Sequence, residues 1–334
     1  MTKKTVVAAM VAIPIVAVIA GVGWFRAMLF RPCAEQDVTL IVAQGSSGRA
    51  VLDQLHDRGL LPSVTAGRLY LRAAAGGRWL HYGHYRLPTG SRPVDVLERL
   101  LDGRIEQLTV TVIEGSTVAE VADQMAAAGV GSEADWLVAA AHTDWIVDLA
   151  PEAASLEGFL FPDTYQFAVG IGADDAAYHL VQRFRSVWDR ARAASPEPWG
   201  EPLEIVTLAS MVEAETAIDA ERRRIAGVFV NRLRRGMLLQ CDPTVVYALK
   251  RHGEWRGRLL RIHWQFDDPY NTYRYPGLPP GPINSPGEAA IRAALDPEVH
   301  DYLYFVASPD GGHTFSETLA AHNRAVADWQ RSRR

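Results

Sequence analysis

Residues 38–59 read VTLIVAQGSSGRAVLDQLHDRG, and residues 108–129 repeat the same pattern as LTVTVIEGSTVAEVADQMAAAG. In each copy, alternating apolar residues predict a strand, a Gly-Ser pair opens a helix, and a glycine closes that helix. A second helical stretch follows each copy, over residues 65–75 and 133–141. The spacing therefore predicts two related units.

An aromatic, extended segment with a proline ends each predicted unit, over residues 84–88 and 158–162. We therefore expect two small βααβ units, at residues 38–107 and 108–167, with a helix over residues 94–101 between them. This order resembles the LysM type of glycan-binding module, which is an analogy at the level of the fold alone.

The N-terminus carries an apolar run, because residues 6–25 contain no charged side chain. At about 1.5 Å per residue this run is about 30 Å long as a helix, which matches a bilayer core. It predicts a transmembrane helix, with residues 1–5 as a cytoplasmic tail and residues 26–37 as a linker. A cleaved signal peptide is the alternative, although the run is long for one and no small-x-small site follows it.

Composition excludes several functional classes. The net charge is −5, and Lys and Arg form no long basic block, which argues against a nucleic-acid-binding protein. Cys33 and Cys241 lie far apart and form neither a metal-binding spacing nor a disulfide framework. His81 and His84 alone are too little for a metal site. We therefore expect no metal and no cofactor.

Residues 168–334 differ in character from the repeats. Helices are predicted over residues 174–194, 203–216, 220–235, 287–295 and 318–330, with a strand over 302–307 and Pro-rich, Gly-rich loops between them. The predicted fold class is thus α+β, with a single N-terminal transmembrane helix, two βααβ units and an α+β catalytic domain whose loops carry the site.

Glu215 is the candidate catalytic residue. On the helix over residues 203–216, one apolar stripe comprises Ile205, Leu208, Met211 and Val212. Helical spacing puts Glu215 in the middle of this stripe and Glu213 well off it. A desolvated carboxyl favours its protonated form, as a general acid requires. The alternatives are that Glu215 faces solvent at the helix end, or that it pairs with an arginine among residues 222–224.

The loops after this helix combine proline with amide, hydroxyl and aromatic side chains, which suits a groove for a sugar. An ordinary packed connector is the alternative, and a structural role is the alternative for the histidine. The candidate substrate-binding residues are Gln240, Asp242, Thr244, Asn271, Tyr273, Asn284, His313 and Thr314.

Several motifs resemble the endolytic murein transglycosylase (YceG-like) family over residues 38–330. They are EGFLFPDTY at 157–165, LASMVEAET at 208–216, VFVNRL at 228–233, YNTY at 270–273 and GLPPGPI at 277–283. Cys241 departs from the family pattern, which usually has a small polar residue there, and residues 273–276 also vary.

The resemblance implies a lytic transglycosylase that cleaves MurNAc–GlcNAc bonds in nascent peptidoglycan strands. It would leave 1,6-anhydro-MurNAc ends and terminate strand elongation, with Glu215 as the catalytic acid and Glu213 as the fallback. It further implies penicillin-binding synthases as partners, and a single-pass protein of the cytoplasmic membrane with an extracytoplasmic catalytic domain.

Two other functional classes are alternatives. A noncatalytic, membrane-anchored peptidoglycan-binding scaffold would keep the repeats and the anchor without needing Glu215. A serine hydrolase is disfavoured, because residues 45–48 do not form a Gly-x-Ser-x-Gly elbow.

Overall fold

The computed structural model describes residues 3–195, 197–309 and 311–332, with side chains from Ala12 onward. The chain divides into two compact units: residues 1–108 with 168–170, and residues 109–167 with 171–334. Residues 109–167 thus belong to the same compact unit as the residues that follow them. The domain boundaries expected from the sequence stay predictions.

The first unit begins with helix α1, Lys3–Phe30, which contains Pro14. Its part from Ala12 to Phe30 has a mean hydropathy of 1.9, and within the described residues it is the one helix long and apolar enough to cross a membrane. The end of α1 belongs to the core of this unit, because Leu29 is buried there and Phe25 and Met28 pack against it.

The rest of the first unit follows the predicted βααβ order. Strand β1 is Val38–Val42, helix α2 is Gly48–Asp57, helix α3 is Val64–Ala74, strand β2 is Gly83–Leu87, and helix α4 is Pro93–Leu101. Strands β1 and β2 are antiparallel, with Val38 opposite Leu87. The Ser47 and Ser63 side chains cap α2 and α3 by accepting backbone N–H groups.

The second copy has the same element order: strand β3 Gln107–Thr111, helix α5 Val118–Ala127, helix α6 Glu133–Ala139, a 3₁₀ turn Thr143–Ile146, and strand β4 Thr164–Ala168 paired with β3. Thr117 and Glu120 form a capping box at the start of α5. A polar cap at the start of the first helix and a glycine after its end are therefore found in both copies, as predicted.

The predicted closing strand at residues 158–162 is wrong. Gly158 has φ +86°, which interrupts an extended chain. Phe159, Leu160 and Phe161 are all buried rather than alternating between two faces, so this segment fills the core as a turn. The strand begins at Thr164 instead.

A tyrosine contact identifies the true counterpart of β2. The Tyr85 hydroxyl of β2 donates to the His81 carbonyl at 2.8 Å, and the Tyr165 hydroxyl of β4 donates to the Phe161 carbonyl at 2.6 Å. Both bonds reach back four residues along the chain. Strand β4 therefore corresponds to β2.

The remainder of the second unit is mainly helical. Its elements are α7 Ala173–Ala194, α8 Pro202–Glu215, α9 Asp219–Arg234, α10 Asp242–Arg251, a 3₁₀ turn Arg261–Gln265, α11 Glu288–Leu295, β5 Tyr304–Ala307, β6 His313–Ser316 and α12 Leu319–Ser332. Helix α8 packs against α9, α10 and α11.

Strand β6 was predicted to be a polar loop, and that prediction is wrong, because residues 313–316 pair antiparallel with β5. Pro196, in the predicted loop between residues 194 and 203, and Asp310, in the predicted loop between residues 307 and 318, lie outside the described residues. A mixed helix and strand fold with an N-terminal apolar helix is confirmed.

Candidate active site

Glu215 is the last residue of α8. The helix ends there because Thr216 turns extended, with φ −149° and ψ 137°. The residues from Ile205 to Val212 are all buried, so α8 is a central helix covered on every side rather than on one stripe. A helical-face argument alone therefore could not separate Glu215 from Glu213.

A cavity of about 370 Å³ opens at Glu215. Its wall is built from four helices, a loop, one tyrosine and two strands: α8, α9, α10, α12, the loop before α10, Tyr273, β5 and β6. The polar residues that line it are Glu215, Arg232, Gln240, Asp242, Tyr273, His313 and His322, and Phe229, Leu239 and residues 305–307 complete the wall.

The Glu215 carboxyl is tuned towards its neutral form. Burial raises its pKa, and the neighbouring charge of Asp242 adds to this rise. The Cys241 thiol, 3.1 Å from Glu215 Oε1, and the nearby His313 and Arg232 act in the opposite direction. Because burial is the largest of these effects, the site favours a carboxyl that keeps its proton.

Glu213 has a different environment. Its carboxylate accepts from Arg222 at 3.2 Å and from the Gly287 backbone N–H at 3.0 Å. The Glu213 and Arg222 side chains are each only 7% exposed. The arginine pairing given as an alternative for Glu215 is thus made by Glu213. Through these bonds Glu213 connects α8 to α9 and to the start of α11.

Asp242 and two aromatic rings form one wall of the cavity. The Tyr273 hydroxyl donates to Asp242 Oδ1 at 2.7 Å, and Trp264 Nε1 donates to the same oxygen at 3.1 Å. The Trp264 and Tyr273 rings are stacked, with centroids 5.0 Å apart. Trp264 was missed from the sequence, since it lies in the 3₁₀ turn between motifs.

His313 and Gln240, both candidate substrate-binding residues, line the cavity. His313 Nδ1 lies 2.7 Å from Glu221 Oε2, and its backbone N–H donates to Glu221 Oε1 at 2.9 Å. This carboxylate fixes the ring and leaves Nε2 as the nitrogen available to a ligand. Gln240 has φ +52°, and its N–H donates to the Thr272 carbonyl at 3.1 Å.

Four candidate residues lie outside the lining of this cavity, and one of them, Asn284, lines the second cavity described below. Thr244 is buried and donates to the Cys241 carbonyl at 2.7 Å. Asn271 is buried and donates to the Trp264 and Phe266 carbonyls at 3.0 and 2.7 Å. Thr314 is exposed on β6. The Thr244 and Asn271 side chains hold the loops that shape the site.

A second cavity is also about 370 Å³ in volume. Asp242 borders both cavities, and Ala214, the neighbour of Glu215, lines the second one. Asn284 lies there, with its Nδ2 donating to the Ser210 carbonyl at 2.9 Å. Gly115 and Thr117 of the second copy also contribute, and Gly115 N–H donates to the Ser285 carbonyl at 2.9 Å.

The described residues contain no group of three or more His, Cys, Asp or Glu that could hold a metal ion. The two cavities share Asp242 in their linings, and the first contains a carboxyl whose pKa is raised by burial, an arrangement suited to acid catalysis on a polar ligand.

Residues 40–328 match the YceG-like family. A Bacillus subtilis protein named endolytic murein transglycosylase is 30% identical, over 92% of this chain and 90% of its own. A Streptococcus pneumoniae protein of the same name is 28% identical over 88% of this chain, which spans 59% of that longer protein. The crystal structure of a yceG-like protein from Listeria monocytogenes is also similar, with a TM-score of 0.56 and 28% identity over 87% of this chain and 99% of that one.

Proposed function

This chain belongs to the YceG-like family, and on that premise we propose that it is an endolytic murein transglycosylase whose catalytic acid is Glu215. The enzyme cleaves MurNAc–GlcNAc bonds within peptidoglycan strands. The observation that carries the role of Glu215 is its position in the lining of the first cavity, next to Ala214 of the second, with a pKa raised by burial.

The reaction needs one proton-transferring residue. Glu215 donates its proton to the glycosidic oxygen as the bond from the MurNAc anomeric carbon breaks. The C6 hydroxyl of the same sugar then bonds to that carbon, and its proton passes to the Glu215 carboxylate. The product is a 1,6-anhydro end, and the residue returns to its starting form. The intramolecular attack gains from proximity, so no second carboxylate is needed to activate water.

The arrangement of the two cavities supports cleavage within a strand rather than at an end. Asp242 lines both cavities, while Glu215 lines the first and its chain neighbour Ala214 lines the second. Sugars can therefore occupy both sides of the scissile bond. Asp242, Gln240, Tyr273 and His313 are proposed to bind hydroxyl and N-acetyl groups in the first cavity, and Asn284 lines the second.

We assign the other parts of the chain by the same proposal. Helix α1 anchors the protein in the cytoplasmic membrane in a single pass, with the catalytic region outside. The βααβ copies are LysM-like units that hold the glycan. Peptidoglycan synthases are the proposed partners, because an enzyme that trims nascent strands works beside their source. Glu213 has a structural role.

The test is the composition of the products formed from purified glycan strands in water enriched in oxygen-18. We expect anhydro-ended fragments without the heavy isotope. Labelled reducing ends would show hydrolysis by water and overturn the transglycosylase assignment. Binding without any cleavage by the full-length protein would favour the alternative, a noncatalytic peptidoglycan-binding scaffold.

A further inference from the structure

The thiol of Cys241 touches the proposed catalytic carboxyl. Cys241 Sγ lies 3.1 Å from Glu215 Oε1, with the sulfur as donor. Across the part of the chain that the structure describes, no other hydrogen bond reaches the Glu215 carboxyl. The orientation of this carboxyl therefore depends on one sulfur atom.

The backbone of Cys241 is held in place by buried hydroxyl groups. The Cys241 N–H donates to Thr272 Oγ1 at 3.0 Å, and the Cys241 carbonyl accepts from Thr244 Oγ1 at 2.7 Å. The two threonine hydroxyls lie 2.9 Å apart. Cys241 is 1% exposed, so its side chain has little freedom to turn away from Glu215.

The thiol keeps its hydrogen in these surroundings. Burial raises the pKa of Cys241 well above its usual value, and the adjacent Glu215 adds to the rise. An S–H group is a weak donor, so it stabilises an ionised carboxylate less than a hydroxyl would. With Oε1 accepting from the thiol, Oε2 is the carboxyl oxygen for which the described residues supply no hydrogen-bond donor.

We propose that Cys241 is a positioning residue for Glu215: its S–H group holds Oε1 and leaves Oε2 free to deliver the proton to the glycosidic oxygen. This rests on the proposed function of Glu215. A weak hydrogen bond from the thiol suits this role, because such a bond orients the carboxyl while leaving it protonated.

Other charged and titratable groups surround Glu215 and are unchanged by substitution at position 241. They are Asp242 of α10, Arg232 of α9, His313 of β6, His322 of α12 and Tyr273. Differences in pH dependence between variants at position 241 therefore report the contact with the thiol.

The first test compares kcat and KM across pH for the full-length protein, Cys241→Ser, Cys241→Ala and the control Cys33→Ser. A hydroxyl donor at position 241 should lower the pKa of Glu215. The alkaline limb of the kcat–pH profile should then move to lower pH by about one unit. Alanine should move it up and lower kcat about fivefold, with KM unchanged. An unmoved limb in both variants at position 241 would overturn the inference.

A second readout does not depend on activity. In a Cys33→Ser background, the infrared S–H stretch belongs to Cys241 and should shift as Glu215 ionises, but not when Glu215→Gln is added. A band that does not change with pH overturns the inference by itself. Full activity of Glu215→Gln would overturn the proposed function instead. If Glu215→Gln is inactive but the pH profiles of both variants at position 241 match the wild type, only the role of Cys241 is overturned.

Discussion

Two glutamates stand two positions apart on α8, and their surroundings give them different roles. Glu215 borders the cavity and contacts a neutral thiol, whereas Glu213 is paired with Arg222 and Gly287. The two oxygens of Glu213 are engaged by Arg222 and by the Gly287 N–H, whereas burial of the Glu215 carboxyl favours its neutral form. One residue is thus fitted for structure and the other for proton transfer.

Replacing Glu213 should therefore cost stability. Glu213→Ala leaves the buried Arg222 without one partner and the Gly287 N–H without its acceptor. We expect a loss on the order of 3 kcal/mol in the free energy of unfolding, measured by urea denaturation. Glu213→Gln, which keeps an acceptor oxygen, is the milder control. An alanine variant as stable as the wild type would show that the pair does not stabilise the fold.

Glu157 makes stability depend on pH. Its carboxylate accepts from Val118 N–H at 3.1 Å and from the Tyr247 hydroxyl at 3.0 Å, and burial raises its pKa to about 8. Between its ordinary value of 4.5 and 8, the folded protein holds a proton that the unfolded chain has released. The stability that this proton contributes is thus present at low pH and is lost as pH rises through this window.

Glu157→Gln should remove that dependence. From pH 5 to pH 8 the wild type should lose on the order of 3 kcal/mol of stability relative to the variant. Thermal melts at the two pH values measure the difference. Parallel losses in both proteins would contradict a raised pKa at this position.

Which residues of the site could be predicted from the sequence depends on whether their contacts are local in the chain. Glu215 and Asp242 lie in motifs beside helix ends, so their neighbours could be anticipated. Thr244 and Asn271 have the same polar character, but their atoms bind loop carbonyls, which only the folded loop reveals. The contact between Cys241 and Glu215 joins residues 26 apart, and no periodicity encodes it.

At the scale of elements, the two βααβ copies share a tyrosine that locks the closing strand to the chain four residues before it. Because the bond is the same in both copies, Tyr85→Phe and Tyr165→Phe should each cost about 1 kcal/mol of stability. Separate denaturation of the two variants checks this. A large effect from one and none from the other would argue against equivalent strands.

Helix starts and ends were predictable because caps are local. Ser47 caps α2 and Thr117 caps α5, each one residue after the Gly-Ser pair that was predicted to open the helix, and the glycines at 59 and 129 follow these two helices with positive φ. The closing strand of the second copy was misplaced because long-range packing decides it. A Cβ at Gly158 would lie 2.5 Å from Pro282, so the turn is set by a residue far along the chain.

At the scale of the whole molecule, α1 links a membrane-spanning length of helix to a folded unit. Its apolar part ends at Phe30, and Leu29 already lies in the core of the first unit. The C-terminal end of α1 therefore packs directly into the core of the first unit. The expected linker at residues 26–37 is thus partly helix, since α1 continues to Phe30.

Charges within α1 should release the protein from the membrane. Ile15 and Ile19 are exposed on α1, and an arginine near the centre of a membrane helix costs about 3 kcal/mol. We expect Ile15→Arg with Ile19→Arg to be extracted by alkaline carbonate, and the matched double leucine variant to stay with the membrane. Equal extraction of both would contradict an anchoring role, and the intact mass of the mature protein separates an anchor from a cleaved signal.

The central claim is that the proton of Glu215 breaks the glycosidic bond, and the rate of strand cleavage by Glu215→Gln tests it most directly. The control is Glu204→Gln, an exposed glutamate in the first turn of the same helix. With equal folding confirmed by thermal melts, we expect Glu204→Gln to cleave at the wild-type rate and Glu215→Gln to lose roughly a thousandfold or more. A Glu215→Gln protein that releases anhydro-ended fragments at the wild-type rate would contradict the account.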